Sequence, residues 1–508
     1  MLSLPSHGCV AQTIAAIDSA ITEIFNLCPL VLIDVTTGRL CHAEDRVRMF
    51  KSEPPFKKLV SETLITTDRA HIRKSVATYF KWVMFSHTWE GKEPTFKDVN
   101  LVGSVWQLDN SPLNEKLRQF CKTVRKDRYR WAWSDTCCID KDTISILTQS
   151  LTSMYRWYKE AAETLVYLAD VLSCSKVGAL TKSRWMTRAW TLQELLASKC
   201  IRFYDREWKP YLNDKHANHK ESPAIKQELA HAMGVALKTI TSFRPLDLGV
   251  REKLRLASTR NATVEEDIAY SLIGIFSSDI VPRYGLGKDA LGQLLENIVA
   301  RSGDVTLLAW TGKSLSYNSA LPDSLAVYSQ IPYSSPPMEG NELDTCVEKL
   351  RIRLAPQDVA AFYKKVIPLP RATFSNRCLQ LPCIVFFVRK IGVQELGVTQ
   401  GNLYHAAVPL LGRVEFRTAD AIRLKHPRKL VFVHPCSPLY AEPSPRVDTL
   451  TRALRMIARL RCPFNALLLE QQPNGQYKRV AAEHQIMFPG LQFNTNPQDI
   501  RAKVLEIV

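Results

Sequence analysis

The chain has 508 residues and a formal net charge of +17 at pH 7, with 46% apolar and 23% charged residues. This composition is ordinary for a folded chain of several domains, each with a sizeable core. No stretch approaches the ~18 consecutive apolar residues of a membrane helix, and the N-terminus lacks the basic and apolar regions of a signal peptide. We therefore expect a protein of the cytoplasm, with the nucleus as the alternative, and no membrane partner.

The positive charge favours anionic partners. Basic residues are spread along the chain, with local clusters at 125–130 and between Arg413 and Lys429. No zinc-finger, RNA-recognition or basic-zipper pattern accompanies them, so nucleic acid is not an expected partner. The thirteen cysteines contain no C-x-x-C pair, which favours buried reduced thiols over a disulfide framework or a zinc site.

Residues 1–75 are interpreted as an N-terminal extension, with a helix predicted from Val10 to Leu27 and a strand from Leu30 to Asp34. Between residues 76 and 212, apolar runs alternate with stretches that have apolar residues at helical spacing. The predicted strands are 82–85, 130–133, 164–170 and 200–205, and the predicted helices are 113–126, 143–162 and 183–196. This alternation predicts an α/β domain with a doubly wound parallel sheet.

Polar residues stand where the predicted strands end. Ser86, Asp135 and Asp170 each follow an apolar run, and ligands of open α/β sheets collect beyond the carboxyl ends of the strands. Trp190 and Glu194 are four residues apart on the next helix, so they share one face. A ring beside a carboxylate suits a reaction with an oxocarbenium-like transition state, because fixed negative charge stabilises the cationic sugar. A core tryptophan and a solvated surface glutamate are the alternative.

The remainder of the chain carries few motifs of known chemistry. No nucleophile elbow, H-E-x-x-H zinc motif or G-x-G-x-x-G dinucleotide motif occurs. Residues 213–328 are predicted to be helical, and 329–342 to be a linker rich in Pro and Ser. A smaller β-rich C-terminal module is predicted at 343–508 from apolar runs at 350–354, 384–388 and 430–433, with a basic helix at 447–460.

Four ordered motifs carry a family resemblance. They are WVMFSHTWE at 82–90, WAWSDTCCIDK at 131–141, SMYRWYKEAAETLVYLAD at 153–170 and WMTRAWTLQELL at 185–196. Together they resemble the HET, or heterokaryon-incompatibility, domain of filamentous fungi. The resemblance implies a flavodoxin-like fold related to the Toll/interleukin-receptor (TIR) domain. It also implies a role in non-self recognition, a form of innate immunity that ends in programmed death of fused cells.

The resemblance further implies roles for individual residues. The segment 190–195 resembles the W-C-x-x-E-L helix motif, whose glutamate is catalytic in TIR enzymes that hydrolyse NAD, so Glu194 is the carried-over catalytic candidate. Supporting contacts to the nucleotide are implied for Ser86, Asp135, Trp190 and Arg188, the last of these at the pyrophosphate. NAD would be the substrate, cleaved at the nicotinamide–ribose bond, and neither a cofactor nor a metal is required. A non-enzymatic module that self-associates or binds protein partners through the same fold is the alternative.

Overall fold

The computed structural model describes residues 7–65, 68–330, 338–395, 402–418, 429–436, 448–492 and 495–508. The chain divides into two compact units. Unit 1 comprises Met1–Asp247, Arg260–Ser277 and Val281–Arg283, and unit 2 comprises Leu248–Thr259, Ser278–Ile280 and Tyr284–Val508. Much of the predicted linker at 329–342 and of the predicted basic cluster at 413–429 lies outside the described residues.

Unit 1 begins with a helical layer and a β-hairpin. Its first elements are α1 (His7–Phe25), β1 (Val31–Asp34), β2 (Leu40–His42), α2 (Ala43–Ser52), α3 (Pro54–Ile65) and α4 (Arg69–Tyr79). The helix and the strand predicted for this part of the chain are confirmed. The turn between β1 and β2 contains Gly38, which has a φ of +75°. A Cβ at that position would collide with Ser104 and Trp106, so the turn requires glycine.

The strands and helices of the central α/β part alternate as predicted. They are β3 (Trp82–His87), α5 (Phe96–Val102), α6 (Pro112–Lys126), β4 (Trp131–Trp133), α7 (Ile144–Glu160), β5 (Glu163–Tyr167), α8 (Ala179–Lys182), α9 (Arg184–Thr187), α10 (Ala189–Ala197) and β6 (Ile201–Tyr204). The single helix predicted at 183–196 is wrong in one respect, since it is two helices. Ser183 caps α9 through the backbone N–H of Trp185, and Arg188 between α9 and α10 has an extended conformation with φ −77° and ψ 137°.

The sheet of unit 1 has six strands in the order β2-β1-β4-β3-β5-β6. The four strands β4, β3, β5 and β6 are parallel, whereas β1 is antiparallel to both β2 and β4. The parallel sheet predicted for 76–212 is therefore confirmed for its four strands, and the antiparallel hairpin, which lies in the stretch interpreted as an N-terminal extension, adds two strands at its edge. The connection from β1 to β2 is only five residues long, too short for the crossover that a parallel pair needs.

The strand order places a reversal of winding next to β3. The chain passes from β3 to β4 in one direction and then returns across β3 to β5. In open α/β sheets, ligands bind beyond the carboxyl ends of the strands at such a reversal. The buried residues Val83, Met84 and Phe85 fix β3 in the core, and Ser86 and His87 form its carboxyl end. These two residues are thus held at the point where this sheet type offers a site.

Short helices follow the sheet. They are α11 (Pro223–Met233), α12 (Leu237–Thr241), α13 (Val250–Ala257), α14 (Asp267–Tyr270), α15 (Ile273–Phe276) and α16 (Asp289–Ser302). Of these, α13 and α16 belong to unit 2.

Unit 2 is rich in β-strands, as predicted for 343–508, and two strands also form at 314–322, inside the stretch 213–328 that was predicted to be helical. Its further elements are β7 (Ser314–Leu315), β8 (Asn318–Pro322), α17 (Gly340–Arg353), α18 (Pro356–Val366), β9 (Thr373–Ser375), β10 (Cys378–Phe387), β11 (Lys390–Glu395), β12 (Asn402–Val408), β13 (Gly412–Thr418), β14 (Leu430–Pro435), α19 (Thr449–Arg459), β15 (Phe464–Gln471), β16 (Tyr477–Arg479), β17 (Ile486–Phe488) and β18 (Arg501–Ile507). Strands β14, β10, β18, β16 and β15 pair in that order, and β14 also pairs with β15, so these pairings form a closed ring.

One strand prediction in unit 2 is wrong. The run 350–354 belongs largely to α17, whose buried residues Leu343, Val347 and Leu350 recur at helical spacing. The runs at 384–388 and 430–433 lie in β10 and β14, and the predicted basic helix is α19, so those three predictions are confirmed. No helix within the described ranges has both the length and the apolar character needed to cross a membrane. The cysteines whose side chains the structure describes, from Cys28 to Cys462, are free thiols.

Candidate functional site

Glu194 lies on α10 and reaches the carboxyl end of β3. Its carboxylate accepts a hydrogen bond from Oγ of Ser86. The same Oγ accepts a hydrogen bond from Nε1 of Trp185 at 2.7 Å. Both Ser86 and Glu194 are buried, with exposed fractions of 1% and 7%. The structure therefore brings two of the sequence-predicted site residues into direct contact, and we call Ser86, Trp185 and Glu194 the buried centre.

The surroundings of Glu194 change its acidity. Burial raises the pKa of its carboxyl to about 7, against the lowering effect of the hydrogen bond from Ser86. The negative charge of Asp135 raises the pKa further, and the positive charge of Arg188 lowers it. Tyr158 on α7 is buried beside the carboxyl and donates a hydrogen bond to the carbonyl oxygen of Phe85 at 3.1 Å. The carboxyl can thus exchange a proton near neutral pH, as catalytic acids and bases do.

Asp135 follows β4 and faces the loop after β3. One of its oxygens accepts a hydrogen bond from Nε1 of Trp89 at 2.8 Å, and the other lies 3.9 Å from Nε2 of His87. The effect of Asp135 on Glu194 is electrostatic. Trp89 is 43% exposed, so Asp135 holds a partly solvated ring at the end of the sheet.

A buried network of charged residues supports this loop. Oε2 of Glu93 lies 2.9 Å from Nε2 of His87, and its Oε1 lies 2.5 Å from Nζ of Lys116. Lys116 also donates a hydrogen bond to the carbonyl oxygen of Thr88 at 3.1 Å. Burial raises the pKa of Glu93, but His87 and Lys116 together lower it to about 2. The sequence analysis missed this network. Its only signal was Lys116, a charged residue on the apolar stripe of a predicted helix.

Two cations lie beside Trp89. Nζ of Lys141 is 3.8 Å from the ring centroid, and Cζ of Arg188 is 5.0 Å from it. We call Trp89, Lys141 and Arg188 the cationic rim. Arg188 was expected near the ligand, and its charge reaches Glu194. Trp89 and Lys141 were not singled out, although both stand in the quoted motifs.

The other sequence-predicted residues lie elsewhere. Trp190 is half-buried and packs against the apolar core of unit 1. Asp170 accepts hydrogen bonds from Oγ of Ser183 at 2.6 Å and from the backbone N–H of Arg184 at 2.7 Å. The geometry thus assigns Asp170 to the start of α9.

A residue distant in sequence supports the start of α10. Nη1 of Arg260 donates to Oγ1 of Thr191 at 2.8 Å and to the carbonyl oxygen of Arg188 at 3.0 Å. Arg260 is buried, and burial lowers its pKa to about 10, against the raising effect of the Glu194 charge. A loop arginine carried no signal in the sequence because its partners are about 70 residues away along the chain.

Residues 82–181 match the family model described as "Heterokaryon incompatibility protein (HET)". The resemblance based on the four motifs is thereby confirmed. A curated relative, "Vegetative incompatibility protein HET-E-1" of Podospora anserina, is 33% identical over 228 residues, which cover 43% of this chain. The chain spans only 16% of the length of that relative. No solved structure matches the chain.

Proposed function

We propose that the HET domain of this chain hydrolyses NAD at the nicotinamide–ribose bond, with Glu194 as the catalytic residue. The observation that carries the proposal is the contact of the Glu194 carboxyl with Ser86 at the carboxyl end of β3. The order β4-β3-β5-β6 also supports a TIR-like fold, since flavodoxin-like sheets begin with the same order of parallel strands.

The proposed cleavage depends on the negative charge of ionised Glu194. As the bond between C1′ of the ribose and the nicotinamide nitrogen breaks, both electrons leave with nicotinamide and positive charge develops on the sugar. Ionised Glu194 stabilises that charge and holds the ribose hydroxyls. Water then forms a bond to C1′ and releases a proton, which a carboxyl with a pKa of about 7 can accept. Ser86 and Trp185 orient the carboxyl through the hydrogen bonds that join the three side chains.

The test is nicotinamide release from NAD by the full-length protein, alone and under conditions that force oligomerisation. Glu194→Gln should reduce release by at least about 100-fold, because the charge that stabilises the transition state is lost. Glu44→Gln, which changes an exposed glutamate of α2, serves as the matched control and should leave the rate unchanged. Absence of release in every assembly state would rule out the enzyme.

The burial of Ser86 and Glu194 favours a second, non-enzymatic function. The Ser86 and Glu194 side chains are bonded to each other and almost wholly buried, which also suits a purely structural pair in a module that signals by self-association. In that case Glu194→Gln should retain assembly, measured by light scattering, and the wild type should release no nicotinamide.

The name of the relative suggests the cellular role. By analogy with a vegetative incompatibility protein, we propose that the chain takes part in non-self recognition and that its activation arrests or kills fungal cells. Expression of the full chain in a filamentous fungus, compared with expression of Glu194→Gln at equal abundance, tests this. Growth arrest that persists in the variant would assign the effect to assembly rather than to NAD loss.

A further inference from the structure

The cationic rim is a second set of contacts, with two positive charges. Asp135 acts electrostatically on Lys141, and the charge of Arg188 acts on Glu194, but neither pair forms a salt bridge. Lys141 is exposed, and the charged ends of both Lys141 and Arg188 approach the ring of Trp89. Within the described parts of the chain, neither cation forms an ion pair with a carboxylate. The carboxylates of the same loops have other partners, namely Asp135 with Trp89, Glu90 with Arg184, and Glu93 with Lys116. The rim therefore holds two positive charges available to an anion.

The rim is a built site rather than two mobile surface chains. Trp89 is tied to Asp135 through its indole N–H. Asp135 is in turn close to His87, whose side chain is fully buried and contacts Glu93. Arg188 is fixed by its position between α9 and α10, where its carbonyl oxygen accepts a hydrogen bond from Arg260. The ring of Trp89 is thus held by its hydrogen bond to Asp135, and the backbone from which Arg188 extends is held by Arg260.

We propose that Lys141 and Arg188 bind the diphosphate of a dinucleotide, with Trp89 as their shared platform, so that the site selects nucleoside diphosphates over nucleosides. This inference rests on the proposed function and names the substrate group that lies beyond the reacting ribose. Two cations suit two linked phosphates, because the planar guanidinium can donate two parallel hydrogen bonds to one phosphate while the ammonium donates to the other. On binding, charge-assisted hydrogen bonds replace the weaker contacts with the indole ring.

The test is equilibrium binding to full-length Glu194→Gln, which separates recognition from turnover. Isothermal titration calorimetry with ADP-ribose and with adenosine compares the same nucleoside with and without the diphosphate and the terminal ribose, and the rim variants below assign the difference to the diphosphate. ADP-ribose should bind, and adenosine should bind at least about tenfold more weakly. Lys141→Met and Arg188→Met should each weaken ADP-ribose binding by about tenfold or more and leave adenosine unchanged. The affinity for ADP-ribose should also fall as salt is added.

A matched control lies nearby. Lys97 is exposed and pairs with Asp142 at 2.6 Å, so Lys97→Met removes one positive charge close to the rim without touching it and should leave ADP-ribose binding unchanged. Thermal unfolding of each variant checks that the fold is intact. The inference is overturned if ADP-ribose does not bind, if adenosine binds equally well, or if Lys97→Met has the same effect as Lys141→Met.

The two proposals fail separately. If ADP-ribose binding depends on the rim but the wild type never releases nicotinamide, the subsite stands and the catalytic proposal falls. If nicotinamide is released while Lys141→Met and Arg188→Met retain full affinity for ADP-ribose, the reverse holds.

Discussion

The buried centre lies on β3, α9 and α10 and the cationic rim on loops next to them, and the two are held by different forces. In the buried centre, a carboxyl, a hydroxyl and an indole N–H satisfy one another. In the rim, an indole is partly solvated and two cations have no carboxylate partner among the described residues. Buried polar groups need a hydrogen-bond partner within the protein, whereas water solvates exposed charges until a ligand binds. The centre should therefore determine stability as well as chemistry, and the rim should determine binding alone.

The largest expected effect comes from a matched pair of tryptophan substitutions. Trp185 is fully buried and Trp89 is 43% exposed. Trp185→Leu should lower the free energy of unfolding by about 3–4 kcal/mol, because it leaves a cavity and removes the donor to Ser86. Trp89→Leu should lower it by less than about 1 kcal/mol. Urea denaturation measures both. Equal losses would show that the distinction between centre and rim is wrong.

The next effect is a pH dependence. Burial raises the pKa of Glu194 from 4.5 to about 7, so the folded state holds the proton more tightly than the unfolded state. The stability associated with that proton is fully present below pH 4.5 and is lost as the pH rises through 7. Glu194→Gln cannot ionise and avoids this loss. Its advantage in free energy of unfolding should grow with pH to on the order of 3 kcal/mol above pH 7.

Thermal unfolding midpoints of the wild type and Glu194→Gln between pH 4 and pH 8 measure this difference. The variant Glu44→Gln, at an exposed glutamate of α2, should follow the wild type across the series. A constant difference between Glu194→Gln and the wild type at all pH values would mean that the carboxyl is not held in a proton-retaining environment.

The smallest effect concerns the support of α10. Thr191→Val keeps the shape of the side chain but removes the hydroxyl that accepts from Arg260. We expect a loss of about 1–2 kcal/mol in the free energy of unfolding, because the buried guanidinium loses a partner. Thr191→Ser retains the hydroxyl and should recover most of the loss. This result would strengthen the distinction between the buried centre and the cationic rim, because no substitution in the rim should cause a loss of stability that restoring one hydroxyl recovers.

The strands and crossover helices could be predicted from the sequence because their patterns are local. The apolar run at 82–85 and the helical spacing at 113–126 each lie within one short segment. The hairpin edge could not be predicted, because the pairing of β1 with β4 joins residues about 100 positions apart. The run at 350–354 was misjudged because a short apolar run fits either a strand or a buried helix.

The same limit applies to the site. Ser86 and Glu194 converge because the end of β3 and the helices after its neighbour β5 have fixed positions in an α/β sheet. Trp89 and Lys141 lie on loops, where side-chain directions depend on contacts such as that between Trp89 and Asp135. Arg260 depends on a chain segment that returns to unit 1 after leaving it. The sequence therefore identified Ser86, Glu194, Asp135 and Arg188, whereas only tertiary contacts show the roles of Trp185, Trp89, Lys141 and Arg260.

The return of the chain at Arg260 has a practical consequence for any shortened form of the protein. The matched HET region ends at residue 181, before Trp185, Glu194 and the strand β6. A fragment that ends at residue 181 contains Ser86 and Asp135 but lacks Glu194. A fragment cut at Asp247, where the first continuous part of unit 1 ends, keeps Glu194 but lacks the guanidinium that anchors its helix. The smallest fragment with an intact centre therefore extends past Arg260, well beyond the family boundary.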